Sequence, residues 1–264
     1  RVRDLDELLE TAALLAKQPA DTGPNVALYS ISGGSGTLMA EQAELAGVPI
    51  PTLSAETQRR LHEILPTYLT VSNPVDNGGT FVMRHPPEVR KRVLEIIMDD
   101  PAVDVLLVGI TGAMGVLSDP LCEDLRDMAA AGTAKPIVVT WNSPKTDERG
   151  FELLVESQLP LFRSFRNCFA ALARANTWRE RRNQYRERPT PSRSMPAAAK
   201  HALAGAKAGV LDADNTRTLL QAFKVPFAGE ATAQSAAAAV AIANDFGYPV
   251  VMKLASPDFP HKSD

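Results

Sequence analysis

Short apolar runs, separated by segments with helical periodicity, dominate residues 26–188 of the chain. Apolar runs of about four to eight residues bounded by turn residues are typical of strands covered on both faces of a sheet. The pattern predicts strong strands at Val26–Ile31, Val103–Ile110 and Pro136–Trp141, and weaker ones at Val48–Leu53, Tyr68–Ser72 and near Leu161.

Between these runs, apolar residues recur every three or four positions, which predicts helices. Ser54 suits a helix N-cap, and Gly47 suits the glycine that ends a helix. The predicted helices cover Asp4–Lys17, the residues between Gly36 and Gly47, Ser54–Leu65, Pro87–Asp99, Leu121–Ala131, Glu148–Ser157 and Ser164–Arg188. Strands that alternate with helices predict an α/β fold with a doubly wound parallel sheet, and a sheet built from five of these strands suits a flavodoxin-like order.

The composition changes after Arg188, which indicates a boundary between two domains. Residues 189–210 are rich in proline, serine and alanine and are interpreted as a linker. The pattern then predicts a helix capped by Asp212 or Asp214, a helix at Ser235–Phe246, and strands at Val225–Phe227 and Tyr248–Leu254. The predicted organisation is residues 1–22 as a helix and connection from a preceding domain, 23–188 as the α/β domain, 189–210 as the linker and 211–264 as the start of another domain. We expect the chain to be a portion of a longer polypeptide.

Charge and composition narrow the classes of function. The 264 residues carry a net charge of −3, which gives no reason to expect a nucleic acid or an anionic membrane surface as partner. No apolar run approaches the roughly 20 residues that span a bilayer. Cys122 and Cys168 are isolated in the sequence, as expected for a cytoplasmic protein.

The segment Ser32–Gly36 is the first candidate for chemistry. It follows a predicted strand and precedes a helix whose first turn contains no acid, so its N–H groups could bind a phosphate or carboxylate. The alternative is a tight turn with no ligand. Asn73–Gly79 is a second turn at the carboxyl end of a predicted strand, where ligands gather in open α/β sheets. Lys253 lies inside an apolar strand and would suit a nucleotide phosphate, or else an edge position facing solvent.

Three stretches of sequence, taken in their order along the chain, are informative about the family. They are SISGGSGTLMAEQAELAG at residues 30–47, SNPVD at 72–76 and GYPVVMKLASPDFPHKSD at 247–264. Together they resemble the NDP-forming acyl-CoA synthetases, relatives of succinyl-CoA synthetase and of the ADP-forming acetyl-CoA synthetases. The resemblance covers nearly the whole chain. It implies a flavodoxin-like ligase domain followed by the beginning of an α+β ATP-grasp domain.

The resemblance also implies a reaction. A carboxylic acid, CoA and an NTP would give acyl-CoA, NDP and phosphate through an acyl phosphate and a phosphohistidine. The phosphate-binding residues it implies are Ser32, Gly33, Gly34, Ser35, Gly36, Thr37, Asn73 and Asp76. The nucleotide-binding residues it implies are Lys253, Lys262, Ser263 and Asp264. His261 matches a second histidine that relays the phosphoryl group, a role that suits a neutral imidazole.

The remaining parts of such an enzyme have no counterpart in this sequence. The family's CoA-binding domain and main catalytic histidine would lie upstream, and the Mg²⁺ carboxylates of the ATP-grasp domain beyond Asp264; no metal ligand is assigned here. We therefore expect ATP or ADP, CoA and Mg²⁺ as cofactors, an upstream CoA-binding domain or subunit as partner, a homo-oligomer, and no activity from this segment alone.

Two other classes of function stay open at this stage. A non-catalytic relative could bind acyl-CoA or a partner subunit. A flavin-binding module is compatible with the fold, and Trp141 follows a strand end where a ring could stack, although the usual phosphate-loop pattern is missing. A dinucleotide dehydrogenase fits poorly, because Met39 stands where the third glycine of GxGxxG belongs.

Overall fold

The computed structural model describes residues 2–19, 21–111, 114–187, 194–204, 211 and 213–254. The chain forms two compact units, residues 1–188 and residues 189–264. The sequence-predicted residues Asp212, His261, Lys262, Ser263 and Asp264 lie outside the described part.

A parallel sheet organises the first unit. Its strands are β1 (Val26–Ser30), β2 (Val75–Asp76), β3 (Val105–Ile110), β4 (Ile137–Trp141) and β5 (Leu161–Phe162). Their order is β2-β1-β3-β4-β5, and every pair is parallel. Every residue of β1, β3 and β4 is buried, as their continuous apolar runs require. The predicted flavodoxin-like order is confirmed.

Helices cover both faces of this sheet, and alternate residues of each strand contribute to two separate cores. The helices of this unit are α1 (Leu5–Lys17), α2 (Gly33–Ala46), α3 (Ala55–His62), α4 (Thr80–Arg84), α5 (Pro87–Asp99), α6 (Gly115–Ala131), α7 (Arg149–Glu156) and α8 (Phe165–Glu187). One core packs Tyr29, Val108 and Val139 against α3 to α7, and the other packs Leu28, Leu107 and Val138 against α1, α2 and α8.

Helix ends largely follow the cap signals. Ser54 accepts a hydrogen bond from the Thr57 N–H at the start of α3. Gly47 ends α2 with φ of 67°, a left-handed conformation that suits glycine. Two helices begin earlier than predicted: α6 runs through Pro120 from Gly115, and the predicted turn at Ser32–Gly36 is already the first turn of α2.

Two predicted strands are wrong. Residues 48–53 form no strand, because Pro49 and Pro51 cannot donate ladder hydrogen bonds. Residues 68–72 form none either: Tyr68 is exposed, and the carbonyl of Thr70 accepts a bond from Asp76 N–H as the chain folds back. The strand at this edge is instead Val75–Asp76, inside the segment predicted as a turn.

In the described part of the second unit, the regular secondary structure consists of helices. These are α9 (Ala197–Ala204), α10 (Ala213–Ala222) and α11 (Ala236–Phe246), the last capped by Ser235. The strands predicted at Val225–Phe227 and Tyr248–Leu254 are not formed there, since no described segment pairs with them and Val251 is 83% exposed. No helix in the described part of either unit is long and apolar enough to cross a membrane.

Asp100 ties the end of α5 to the start of α3. Its buried carboxylate accepts hydrogen bonds from the N–H groups of Ser54 at 2.7 Å and Ala102 at 2.9 Å. Burial alone would raise the pKa of Asp100, but hydrogen bonds from Thr57, Ala102 and Ser54 outweigh it and lower that pKa. A carboxyl whose pKa is lower in the folded than in the unfolded chain stabilises the fold above the unfolded pKa.

We expect Asp100→Asn to lower the free energy of unfolding at pH 7 by about 1–3 kcal/mol, since bonds to a charged acceptor are replaced by neutral ones. The deficit relative to the unchanged protein should shrink as the pH falls below about 4, where the unfolded carboxyl takes up its proton. Urea denaturation followed by circular dichroism measures both effects. The exposed neighbour Asp99→Asn is the control, and a deficit that is the same at pH 7 and pH 3 would contradict the assignment.

Candidate functional site

The candidate site lies at the carboxyl edge of the sheet, between β1 and β3. The strand order reverses there, because β1 continues into α2 on one face and β3 leads to α6 on the other. Such a switch point leaves a crevice outside the strand ends, and ligands of open α/β sheets bind in it.

The start of α2 presents backbone donors at this crevice. The N–H groups of Gly33, Gly34 and Ser35 have no acceptor among the described residues, and Ser32 makes no side-chain cap. Gly33 and Gly34 are exposed, and the first turn of α2 contains no acidic residue. Free N–H groups together with the positive end of the helix dipole favour an anion at this position.

Two hydroxyls fix this first turn. The Ser35 hydroxyl, which is buried, lies 2.5 Å from the Thr111 hydroxyl at the end of β3 and is hydrogen-bonded to it across the switch point. The Thr37 hydroxyl donates to the Gly33 carbonyl one turn back, and therefore stabilises the helix start from its outer side. Sequence reasoning missed Thr111. Its position directly after the strongest strand was the signal that could have found it.

Asp76 reaches the same helix start from β2. A Cβ on Gly33 would lie 2.8 Å from the Asp76 Oδ2 atom, so a side chain at position 33 would collide with that carboxylate. The other carboxylate oxygen of Asp76 accepts the Gly78 N–H at 2.8 Å, which fixes its orientation. Gly33 thus lets a carboxylate approach the first turn of α2, and this negative charge borders the place where an anion would bind.

Asn73 holds the edge of β1 with its side chain. Its amide oxygen accepts the Leu28 N–H at 2.9 Å, and its amide nitrogen donates to the carbonyls of Val26 at 3.1 Å and Pro51 at 2.8 Å. The Leu28 N–H and the Val26 carbonyl are groups of β1 that a longer β2 would have paired. The side chain of Asn73 therefore contacts backbone rather than the crevice, and it acts on the site by placing the residues that follow it.

Asn77, which follows β2, also forms hydrogen bonds to β1. It is fully buried; its N–H donates to the Ser30 carbonyl, and its amide nitrogen donates to the Tyr29 hydroxyl. Burial raises the pKa of Tyr29, so its hydroxyl stays neutral. The Asn77 side-chain oxygen has no partner among the described residues.

The two remaining predicted residues that the structure describes are Lys253 and Trp141. Lys253 is exposed, in a segment of the second unit that is neither helix nor strand. Trp141 is fully buried and its ring N–H donates to the Lys145 carbonyl, so the prediction that it could stack on a flavin is wrong. Among the described residues, no group of three or more His, Cys, Asp or Glu side chains could hold a metal ion.

Comparison with known proteins gives the family. Residues 26–183 match the Ligase-CoA domain, and residues 202–264 match an ATP-grasp domain. The chain belongs to the ADP-forming acyl-CoA ligase family, as its sequence motifs indicated.

Among similar proteins, the ADP-forming acetate–CoA ligase I of Archaeoglobus fulgidus is 28% identical over 98% of this chain, which covers 36% of that protein. The ADP-forming 4-hydroxybutyrate–CoA ligase of Nitrosopumilus maritimus is 24% identical over 100% of this chain and 37% of its own length. The chain thus spans little more than a third of these relatives.

A solved structure shares the fold. It is the dinucleotide forming acetyl-coenzyme A synthetase 1 of Ca. Korarchaeum cryptofilum, in complex with phosphate and ADP, with a TM-score of 0.57 and 14% identity. The match covers 72% of this chain and 40% of that one.

Replacement of Asn73 by alanine should lower the free energy of unfolding by roughly 2–4 kcal/mol, because three hydrogen bonds to the backbone are lost together. The backbone φ of Asn73 is 109°, which disfavours alanine further. Urea denaturation measures the change. Asn25→Ala is the matched control, because the Asn25 side chain makes no hydrogen bond to a described residue. Equal effects of the two replacements would contradict this role for Asn73.

Proposed function

We propose that this chain is the part of an acid–thiol ligase that holds the migrating phosphoryl group and begins the nucleotide-binding domain. The whole enzyme would form acyl-CoA from a carboxylic acid and CoA while an NTP is cleaved to NDP and phosphate. An acyl phosphate and a phosphohistidine would be the intermediates.

The exposed start of α2 is the observation that carries the proposal. Three N–H groups without an acceptor among the described residues point to one place, and no acid of the first turn neutralises the helix dipole. Such preorganised donors stabilise negative charge on phosphoryl oxygens without reorganisation during the reaction. Gly34 adds to this access, because a Cβ at that position would meet only the Ser32 hydroxyl at 3.8 Å.

The surrounding residues would position the group. Ser35 and Thr111 fix the first turn of α2, Asn73 places the β2 end, and Asp76 borders the bound anion. Ser32, Gly36 and Thr37 complete the first turn of the helix. The site is therefore proposed as a half-site that receives a phosphoryl group from outside the chain.

The ATP-grasp portion supplies the nucleotide side of the proposal. Lys253 would contact the phosphates of the nucleotide, together with Lys262, Ser263 and Asp264, and His261 would relay a phosphoryl group. A relative with this fold has been solved with phosphate and ADP, which supports ATP or ADP as the nucleotide. CoA, Mg²⁺ held by residues outside this chain, an upstream CoA-binding domain or subunit, and assembly into a homo-oligomer belong to the same proposal.

Turnover by the full-length protein tests the proposed reaction. With ATP, CoA and a panel of carboxylic acids, we expect ADP release that depends on both the acid and CoA. A coupled ADP assay follows it, and mass spectrometry identifies the acyl-CoA product. If no acid in the panel stimulates ADP release, the protein is instead a non-catalytic relative that binds acyl-CoA or a partner.

Gly34→Leu tests the role of α2. The added side chain would project over the free N–H groups, so we expect acyl-CoA formation to fall by about a hundredfold or more, the cost of losing oxyanion donors. The fold should persist, because position 34 is exposed. Glu44→Leu, an exposed position at the far end of α2, is the control for added bulk. Unchanged turnover in Gly34→Leu would refute the assignment of this helix start.

A further inference from the structure

Helix α1 has an apolar outer side that the described residues leave uncovered. Its inner side packs on the first unit, where Thr11, Leu14 and Gln18 are buried. The outer side carries exposed apolar residues, namely Leu5, Leu8, Leu9, Ala12, Ala13 and Ala16. Leu5 is 65% and Leu9 59% exposed. A helix on the surface of a soluble domain normally turns polar residues to solvent, so this outer side indicates an interaction surface.

The outer side has the spacing of a seam between two helices. Leu5, Leu9, Ala12 and Ala16 follow one another at intervals of four, three and four residues. This is the a/d repeat with which two helices pack along one stripe. Helix α1 contains 13 residues and is therefore about 20 Å long, and the seam runs along almost all of it.

The two halves of this seam are complementary in size. Leucines occupy its first half, at Leu5 and Leu9, and alanines its second half, at Ala12 and Ala16. If a second α1 packs antiparallel on the first, each leucine of one copy faces an alanine of the other, so that a large side chain meets a small one in every layer. A parallel pair would set leucine on leucine in one half and alanine on alanine in the other, which leaves the second half poorly packed.

Charge favours the same direction. Asp4 and Asp6 are exposed at the N-terminal end of α1, where the nearby Arg3 is already paired with Glu7. The last turn of the helix carries Lys17. In an antiparallel pair the acidic end of one helix lies beside the Lys17 of the other, and the helix dipoles oppose each other. A parallel pair would place acid beside acid.

We propose that the outer side of α1 is a contact between two copies of this protein, in which the two α1 helices pack antiparallel about a two-fold axis. The inference rests on the homo-oligomer that belongs to the proposed function, and it assigns a surface to that assembly. An antiparallel pair of identical helices is isologous, so the contact closes at two copies. Two helices of this length bury less than the roughly 800 Å² per partner of a standard interface, so we expect a reversible contact.

Other occupants explain the pattern less well. A helix of an unrelated protein would need an apolar stripe on α1, but it would not require leucines and alanines to be sorted into opposite halves. An anionic membrane surface would favour cations beside the exposed leucines, whereas Asp4 and Asp6 lie there instead.

Disulfide cross-linking of the full-length protein tests the register. Leu5→Cys and Ala16→Cys are purified separately and then mixed under mild oxidation with copper phenanthroline. We expect a covalent dimer in the mixture, because these two positions face each other within disulfide range. Neither variant alone should give it, because position 5 lies roughly 16 Å along the helix axis from position 5 of the other copy. Non-reducing electrophoresis measures the yield, and mass spectrometry identifies the bond.

The seam itself is tested by Leu9→Glu. Introduced into both cysteine variants, it should lower the yield of covalent dimer at least about tenfold, because a carboxylate would be buried against Ala12 of the other copy. Leu45→Glu is the matched control, since Leu45 of α2 is 74% exposed and lies outside the seam. It should leave the yield unchanged. Both replacements are on the surface, and circular dichroism checks that the fold persists.

Three results would overturn the proposal. A covalent dimer from Leu5→Cys alone indicates parallel helices. No covalent dimer in the mixture shows that another part of the full-length chain or another partner covers α1. Equal yields with and without Leu9→Glu show that the cross-link forms by random collision. None of these readouts needs ATP, CoA or turnover, so a failure of this contact is distinguishable from a failure of the proposed reaction.

Discussion

The side chain of Asn73 substitutes for part of a strand, and the geometry of the candidate site depends on it. A carboxamide carries one acceptor and a nitrogen with two hydrogens, and all three bonds go to backbone groups of β1 and of the segment beside it. The edge of β1 is therefore satisfied although β2 is only two residues long. Because the strand is so short, the chain leaves the sheet at once, and Asp76 and Asn77 arrive beside the start of α2.

On the other side of the switch point, a side-chain hydrogen bond again fixes the backbone of the candidate site. The hydroxyl pair Ser35–Thr111 joins the first turn of α2 to the end of β3, so the free N–H groups belong to a turn that is fixed at both sides. Glycine at position 36 allows that turn to pack closely, since a Cβ there would lie 3.2 Å from Pro74. A donor array held in this way loses little conformational freedom when an anion binds, which is what stabilisation of a phosphoryl group requires.

Sequence patterns predicted the layers and the strand order, because the three central strands are buried on both faces and must be continuously apolar. They failed at the sheet edge: Tyr68–Ser72 has a strand-like composition, but ladder pairing comes from Val75–Asp76 and the Asn73 side chain. The family resemblance grouped the glycines of α2 with Asp76, and the structure does bring Gly33 and Asp76 together. Neither the pattern nor the resemblance could assign the Asn73 side chain to the backbone rather than to a ligand. Thr111 was not predicted as a site residue, because a single hydroxyl after a strand produces no periodic pattern in the sequence. The strand predicted around Lys253 would form only beside neighbouring strands, and no described segment pairs with it.

The approach of Asp76 to Gly33 has a consequence for how strongly the site would attract an anion. Any phosphoryl group at the start of α2 would lie beside a fixed carboxylate, and like charges at short range weaken each other's binding. The carboxylate would therefore offset part of the attraction that the free N–H groups of α2 exert on such a group. A helix start that is open but bordered by a negative charge suits a transfer point, through which the group passes, better than a storage site.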